Sequence, residues 1–200
     1  QIDLIEPMIK KANIPQINIY SISIKEVVDC LENTLGLKNQ KLAPLRQGFG
    51  GARRARLGNI MARVRMIVLY DLAKKHTSLV CGTENKSELY LGYFTRFGDE
   101  ASDFEPIQHL YKTQVYSLAK YLNVPENIIE LPPTAGLWTG QTDEADFGFS
   151  YKEADSVLFL HFERKESLSE IISKGFPNAK KIIDRVNKNS FKHHLPYTIK

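Results

Sequence analysis

Apolar side chains recur at helical spacing most clearly over residues 59–75, where Ile60, Val64, Ile67, Val68 and Leu72 form one stripe while Arg63 and Asp71 lie elsewhere on the cylinder. That period predicts a helix. A second stripe of Val27, Val28 and Leu31 predicts a helix over about 24–34, ended by Gly36. Shorter helical patterns run over 3–11, begun or bent near Pro7, and over 83–91, 110–122 and 178–189. Ser150 and Ser167, each followed three residues later by a glutamate (Glu153 and Glu170), read as capping boxes that open two further helices. Residues 15–20, with Ile17 and Ile19 on one face, and the short apolar run 78–82 read as strands. Strands and helices in this order predict an α/β fold, a parallel sheet flanked by helices with a small helical C-terminal part on the same body. Residues 37–57 break every period with Pro44, Gly48, Gly50 and Gly51. They read either as a solvated loop or as one ordered by a ligand or partner.

Composition changes this picture little. Two hundred residues suit one domain with a sizeable core. The formal charge of +4 is too small to argue for nucleic acid, but its placement is uneven. No Asp or Glu occurs between Asn33 and Tyr70, whereas Lys38, Lys41, Arg46, Arg53, Arg54, Arg56, Arg63 and Arg65 all fall there. Such a stretch suits phosphates or another anionic partner. The two cysteines, Cys30 and Cys81, support neither a disulfide scaffold nor a metal knuckle and fit a reducing, cytoplasmic compartment. No apolar stretch reaches the roughly 18 residues that span a bilayer, so no membrane association is expected. The first residues lack a secretory pattern. The chain does not begin with Met, which fits a fragment or a sequence with residues omitted.

Candidate chemistry gathers after the second predicted strand, in Gly82-Thr83-Glu84-Asn85-Lys86-Ser87-Glu88-Leu89-Tyr90-Leu91-Gly92. Open α/β sheets bind ligands beyond the C-terminal ends of their strands. Thr83 can turn its hydroxyl and amide towards a nucleotide there. Glu88, one turn into the following helix, is a hard oxygen donor of the kind Mg²⁺ requires, although a single helical glutamate is more often a solvated surface residue. Lys112 stands at a helix start, where its charge adds to the positive end of the dipole, or is one of many exposed lysines.

Several motifs in one order carry a resemblance. They are Leu57-Gly58-Asn59-Ile60 with Arg63 and Arg65, Gly82 to Leu89 continuing through Gly92-Tyr93, Thr95 and Gly98-Asp99, then Asp103, Pro106-Ile107 and Leu110-Tyr111-Lys112-Thr113. Pro133-Thr134-Ala135-Gly136-Leu137-Trp138 and Gln141-Thr142-Asp143-Glu144-Ala145-Asp146-Phe147-Gly148 complete the series. Together they are similar to the ammonia-dependent NAD synthetases over most of the chain. The resemblance implies a Rossmann-like, adenine nucleotide alpha hydrolase-like fold, with residues 1–200 as one ATP pyrophosphatase-type domain.

The resemblance also implies a reaction. The nicotinate carboxylate of deamido-NAD attacks the α-phosphate of ATP, and ammonia then displaces AMP to form the carboxamide, with Mg²⁺ offsetting charge on the departing pyrophosphate. Carried over by position, Thr83, Lys112 and Thr134 are ATP contacts and Glu88 is a Mg²⁺ ligand. Asn59, Arg63, Phe94, Asp99 and Lys192 face deamido-NAD, with Arg65 left to the fold or a subunit interface. Asp143 and Asp146 belong to a mobile covering loop that keeps water from the acyl-adenylate. The family pairs as a homodimer through central helices, and the 59–75 helix offers an apolar face for that.

Three departures stand against this. Gly136 occupies a position where many relatives carry Asp, and Phe191-Lys192-His193-His194 replaces their His-Lys pair. No Ser-Gly-Gly-x-Asp-Ser phosphate loop precedes Asp3, and Gly48-Phe49-Gly50-Gly51 is no substitute for it. The domain is thus expected to lack its first strand, phosphate loop and first helix as the sequence stands. A silent nucleotide- or anion-binding module and another ATP pyrophosphatase-type synthetase are the competing readings. Free ammonia is the default nitrogen donor, and a separate glutaminase partner stays open.

Overall fold

The computed structural model describes residues 2–15, 18–37, 52–194, 196 and 198. The expected loop 37–57 lies mostly outside the described residues, as does Ile17 of the first expected strand. Ten α-helices follow one another among the described residues: α1 (Ile2–Lys11), α2 (Lys25–Thr34), α3 (Ala52–His76), α4 (Lys86–Leu91), α5 (Lys112–Tyr121), α6 (Glu126–Ile129), α7 (Asp143–Phe147), α8 (Tyr151–Leu158), α9 (Leu168–Ser173) and α10 (Ala179–Asn189). A π-helical turn, Phe159–Glu163, extends α8, and a 3₁₀ turn, Ser190–His193, follows α10. No helix among them is long and apolar enough to cross a membrane.

The core lies in the C-terminal half. α10 places Ala179, Ile182, Ile183 and Val186 on one buried face, the spacing of an amphipathic helix. That face meets Ala154, Val157 and Leu158 of α8, Ile171 of α9 and Leu91 of α4. Phe147, Phe149 and Tyr151 close the cluster, with Phe147 edge-on to Tyr151 at 5.4 Å between ring centroids. At the other end α2 packs on α3, and Arg53 donates to Glu32 at 2.8 Å.

Both expected strands need correction. In the first, residues 16 and 17 lie outside the described ones, the Asn18 amide donates to the Pro15 carbonyl at 2.9 Å, and 18–20 join no ladder among the described residues. The segment Val80–Glu84 is extended, but among the described residues it makes a single parallel bridge, Cys81 to Phe104. Two of its amides are taken by side chains: Val80 N–H donates to Asp103 Oδ2 (2.7 Å) and Glu84 N–H to Glu105 Oε2 (3.0 Å). Backbone pairing reduces to the Gly82 amide on the Phe104 carbonyl (2.9 Å) and the Asp103 and Phe104 amides on the Val80 carbonyl (2.9 and 3.4 Å). A ladder needs consecutive backbone partners, and here carboxylates stand in for them. The expected sheet is therefore not formed among the described residues.

α3 also begins earlier than its apolar period, at Ala52. Ala and Arg are good helix formers, and Gly58 is tolerated inside the helix because Leu137 packs against it. A Cβ at Gly58 would lie 2.7 Å from Leu137 Cδ1. Gly92 is constrained twice over. It ends α4 at φ +61, and an added Cβ would sit 2.4 Å from Asn189 Cβ. Left-handed backbone and overpacking together put the cost of Gly92→Ala at about 3 kcal/mol. Urea denaturation of that variant is expected to show the loss with an unchanged m-value.

Candidate active site

Two helix starts meet across one buried carboxylate. Asp155, 5% exposed on α8, accepts the Ser87 hydroxyl on Oδ1 and the Thr113 amide at 2.8 Å on Oδ2. Ser87 Oγ in turn accepts the Lys112 amide at 2.8 Å. The first turns of α4 and α5 are thereby held side by side. Desolvation pushes the Asp155 carboxyl up, and the hydrogen bonds from Ser87 and Thr113 oppose the shift.

Glu88 and Lys112 face each other as a result. Asn85 caps α4 by accepting from Glu88 N–H at 3.0 Å, and Glu88 Oε2 accepts from Asn85 N–H at 3.1 Å, a reciprocal capping box. The other oxygen, Oε1, accepts from Lys112 Nζ at 3.0 Å. Lys112 Nζ also lies 5.3 Å from the Tyr151 ring centroid, a cation–π distance. Both residues line a cavity of about 580 Å³, within the size range of small-molecule sites.

Thr83 and Thr134 border the same cavity and are exposed; Thr134 Oγ1 accepts from Gly136 N–H at 3.0 Å. Asn59 and Asp99 also line it: Asn59 Oδ1 accepts from Thr95 Oγ1 (3.1 Å), and Asp99 Oδ1 accepts from Thr95 N–H (3.0 Å). Phe94 lines the wall from a packed position, edge-on to His193 with centroids 5.6 Å apart. Lys192 also lines it, donating to the Gly92 and Phe94 carbonyls at 2.6 and 2.7 Å, and burial pushes its ammonium pKa down.

Two expectations change. Arg63 does not border the cavity: its Nε and Nη2 reach the Arg96 carbonyl at 3.2 and 3.1 Å and hold the loop 93–99. The arginine that does border it is Arg65. Asp143 and Asp146 line the cavity, but on α7 and pinned from below. Asp143 Oδ2 accepts from Tyr151 Oη at 2.9 Å, and Asp146 Oδ2 accepts from Tyr93 Oη at 2.8 Å and from Gln141 Nε2 at 3.0 Å. The expected covering segment is here a helical turn tied to the buried Tyr151 and the half-buried Tyr93; residues 134–138 form the irregular rim beside it.

Glu84, which no sequence pattern singles out, is a buried carboxyl on this cavity. Desolvation first, then repulsion from Glu105, Glu88 and Asp99, push it up to about 8, against a hydrogen bond from Gln108.

Comparison with known proteins places this geometry. A family model described as NAD synthase matches residues 7–196. The chain belongs to the NAD synthase family. An NH(3)-dependent NAD(+) synthetase of Fusobacterium nucleatum is 40% identical over 187 residues, covering 92% of this chain and 67% of its own length. One of Chlorobium phaeobacteroides is 46% identical over 155 residues, covering 76% of this chain and 56% of its own. Among solved structures, an NMN synthetase from Francisella tularensis aligns with all of this chain and 72% of its own, at a TM-score of 0.77 and 33% identity. The chain thus spans about half to three quarters of the length of the relatives it matches.

The raised Glu84 carboxyl sets a sign for pH dependence. The folded state holds its proton from the ordinary glutamate value of 4.5 up to about 8, while the unfolded chain releases it. Where the native state binds more protons, stability falls as pH rises. In urea denaturation between pH 5 and about 8, wild type is expected to lose stability with rising pH, and Glu84→Gln to show a flatter profile. Parallel profiles would show that Glu84 ionises normally.

Proposed function

We propose that this chain, as one ATP pyrophosphatase-type domain, amidates deamido-NAD to NAD with ATP and ammonia, releasing AMP and pyrophosphate. The observation that carries the reading is the single cavity uniting the Glu88–Lys112 pair with Thr83, Thr134, Asn59, Asp99 and Lys192. In this reading Val80–Gly82 and Phe104 are the edge of a parallel sheet.

A carboxylate is a poor acyl donor until its oxygen becomes a leaving group, which attack on the α-phosphate of ATP supplies by attaching AMP and releasing pyrophosphate. Lys112, steered by Asp155 through the start of α5, meets the phosphates as a cation added to the positive end of that helix. Thr83 and Thr134 offer hydroxyls from the cavity edges. Asn59, Asp99 and Lys192 orient the dinucleotide acid, and Phe94 gives that wall an apolar backing. Arg63 is a positioning residue for the 93–99 loop, and Arg65 takes the expected substrate-facing place. Asp143 and Asp146, with Trp138 at the rim, exclude water from the activated acyl group.

The donor set fits Mg²⁺ in one mode. Glu88 Oε1 is a hard oxygen at the cavity wall, and among the described residues no group of three His, Cys, Asp or Glu could hold a metal alone. One or two carboxylates with substrate phosphates are the usual Mg²⁺ environment. Bound there, the ion offsets charge on the departing pyrophosphate. Pairing as a homodimer is supported by the apolar side chains that α3 exposes, Ile67 and Leu69. The exposed free thiols Cys30 and Cys81 suit the cytoplasm.

A second acceptor is favoured by one observation, the 0.77 TM-score to a protein described as an NMN synthetase. Nicotinate mononucleotide is therefore the competing acid. The assay measures AMP and amide formation from each acid with ATP and Mg²⁺, comparing ammonium with glutamine. Deamido-NAD with ammonium is expected to give equal AMP and NAD; absence of AMP would overturn the function. Glu88→Gln keeps the capping acceptor but removes the charge. It is expected to fold and to lower kcat/KM about 100-fold, and unchanged kinetics would remove Glu88 from the metal site.

A further inference from the structure

Glu84 has no task in the amidation described so far. It follows Thr83 on the cavity wall, its side chain is 7% exposed, and Oε1 is buried without a hydrogen-bond partner. Oε2 accepts only a long bond, 3.3 Å, from Gln108 Nε2. The charges that raise its pKa are acidic: Glu105, Glu88 on α4 and Asp99. Among the described residues Lys192 also feels the Glu84 charge. An unpaired buried acid among acids is costly unless it stays neutral or a cation joins it.

The cation has a definable character. Among the described residues no group of three His, Cys, Asp or Glu could hold a metal, and Glu84 offers a single unpartnered oxygen. A small monovalent ion that donates hydrogen bonds needs no coordination shell, and ammonium carries four N–H donors. Asp143 also has an unpartnered oxygen, but its carboxylate is engaged by Tyr151 and lies in the field of Lys112.

We propose that Glu84 receives the ammonium substrate, its carboxylate binding the ion in the cavity and taking the proton that converts it to ammonia. The proposal rests on the amidation function above. Ammonium gives one proton to Glu84 and becomes ammonia, whose lone pair forms the C–N bond to the acyl carbon. The C–O bond to AMP breaks, its electron pair leaves with the phosphate, and the second proton leaves the amide nitrogen with AMP. Neither an oxidant nor a reductant is involved. The ammonium charge draws the buried Glu84 carboxyl into its ionised form, and the proton then taken from ammonium restores the neutral acid that burial among carboxylates favours.

The test separates the two half-reactions. Pyrophosphate–ATP exchange with deamido-NAD and no ammonium reads acyl-adenylate formation. Glu84→Gln is expected to leave that exchange within about twofold while ammonium-dependent amide formation falls about 100-fold. Hydroxylamine, an uncharged nucleophile at neutral pH, is expected to restore product formation in the variant, and Glu84→Asp to recover part of the ammonium rate. Equal losses with ammonium and hydroxylamine, or no loss with either, overturn the proposal. No exchange in wild type overturns the amidation function itself, and a readout independent of turnover then judges Glu84. The ¹³C carboxyl resonance of Glu84, assigned by its loss in Glu84→Gln, is expected to move with ammonium chloride and not with tetramethylammonium chloride. Identical responses to the two salts overturn the assignment.

Discussion

The buried carboxylate of Asp155 is the constraint on which the site depends. A charged group this deep is unfavourable unless each oxygen is engaged, and its three connections, direct or through Ser87, all lead to the starts of α4 and α5. Those starts carry Glu88 three residues into α4 and Lys112 at the head of α5. Fixing two short helices by their first turns brings two side chains 24 residues apart within 3.0 Å. The core cluster beneath, with α10 packed on α4 and α8, keeps Asp155 from water and so makes its hydrogen bonds count.

The cavity above is lined by groups that compete for charge. Glu88 serves as helix cap and as Lys112's partner at once, which prepays the orientation of both before a nucleotide arrives. Lys192 ties the end of α4 to the 3₁₀ turn through two carbonyls, so a residue facing the substrate also closes the fold. Tyr93 and Tyr151, both pushed up by burial, remain neutral donors to Asp146 and Asp143 and hold α7 against the floor. Glu84 stands apart from this pairing. Its carboxylate neighbours repel its charge, and that gives it a different chemistry from Glu88, four residues on.

Much of this was legible from the chain. The period in α3, the amphipathic face of α10 and the serine caps at Ser150 and Ser167 depend on neighbours along the sequence, and they formed. The second strand is reduced, among the described residues, to one parallel bridge, because the amides of Val80 and Glu84 found carboxylates, Asp103 and Glu105, that no period of residues 78–82 contains. The Glu88–Lys112 pair was visible as two motif positions, but their contact rests on Asp155, which no motif singled out. The choice between Arg63 and Arg65 turned on helical phase, since residues two apart on a helix face different sides. Glu84 carried no signal beyond its place in a polar run; only the fold buries it.

The dependence of the nucleotide site on Asp155 can be measured directly. Asp155→Asn keeps the shape and one acceptor oxygen but removes the charge that holds Ser87 and the start of α5, without itself bordering the cavity. Calorimetric titration with Mg·ATP is expected to show binding about tenfold weaker in the variant than in wild type, the effect of losing one charge-assisted hydrogen bond. Equal affinity in a variant that remains folded would contradict the account.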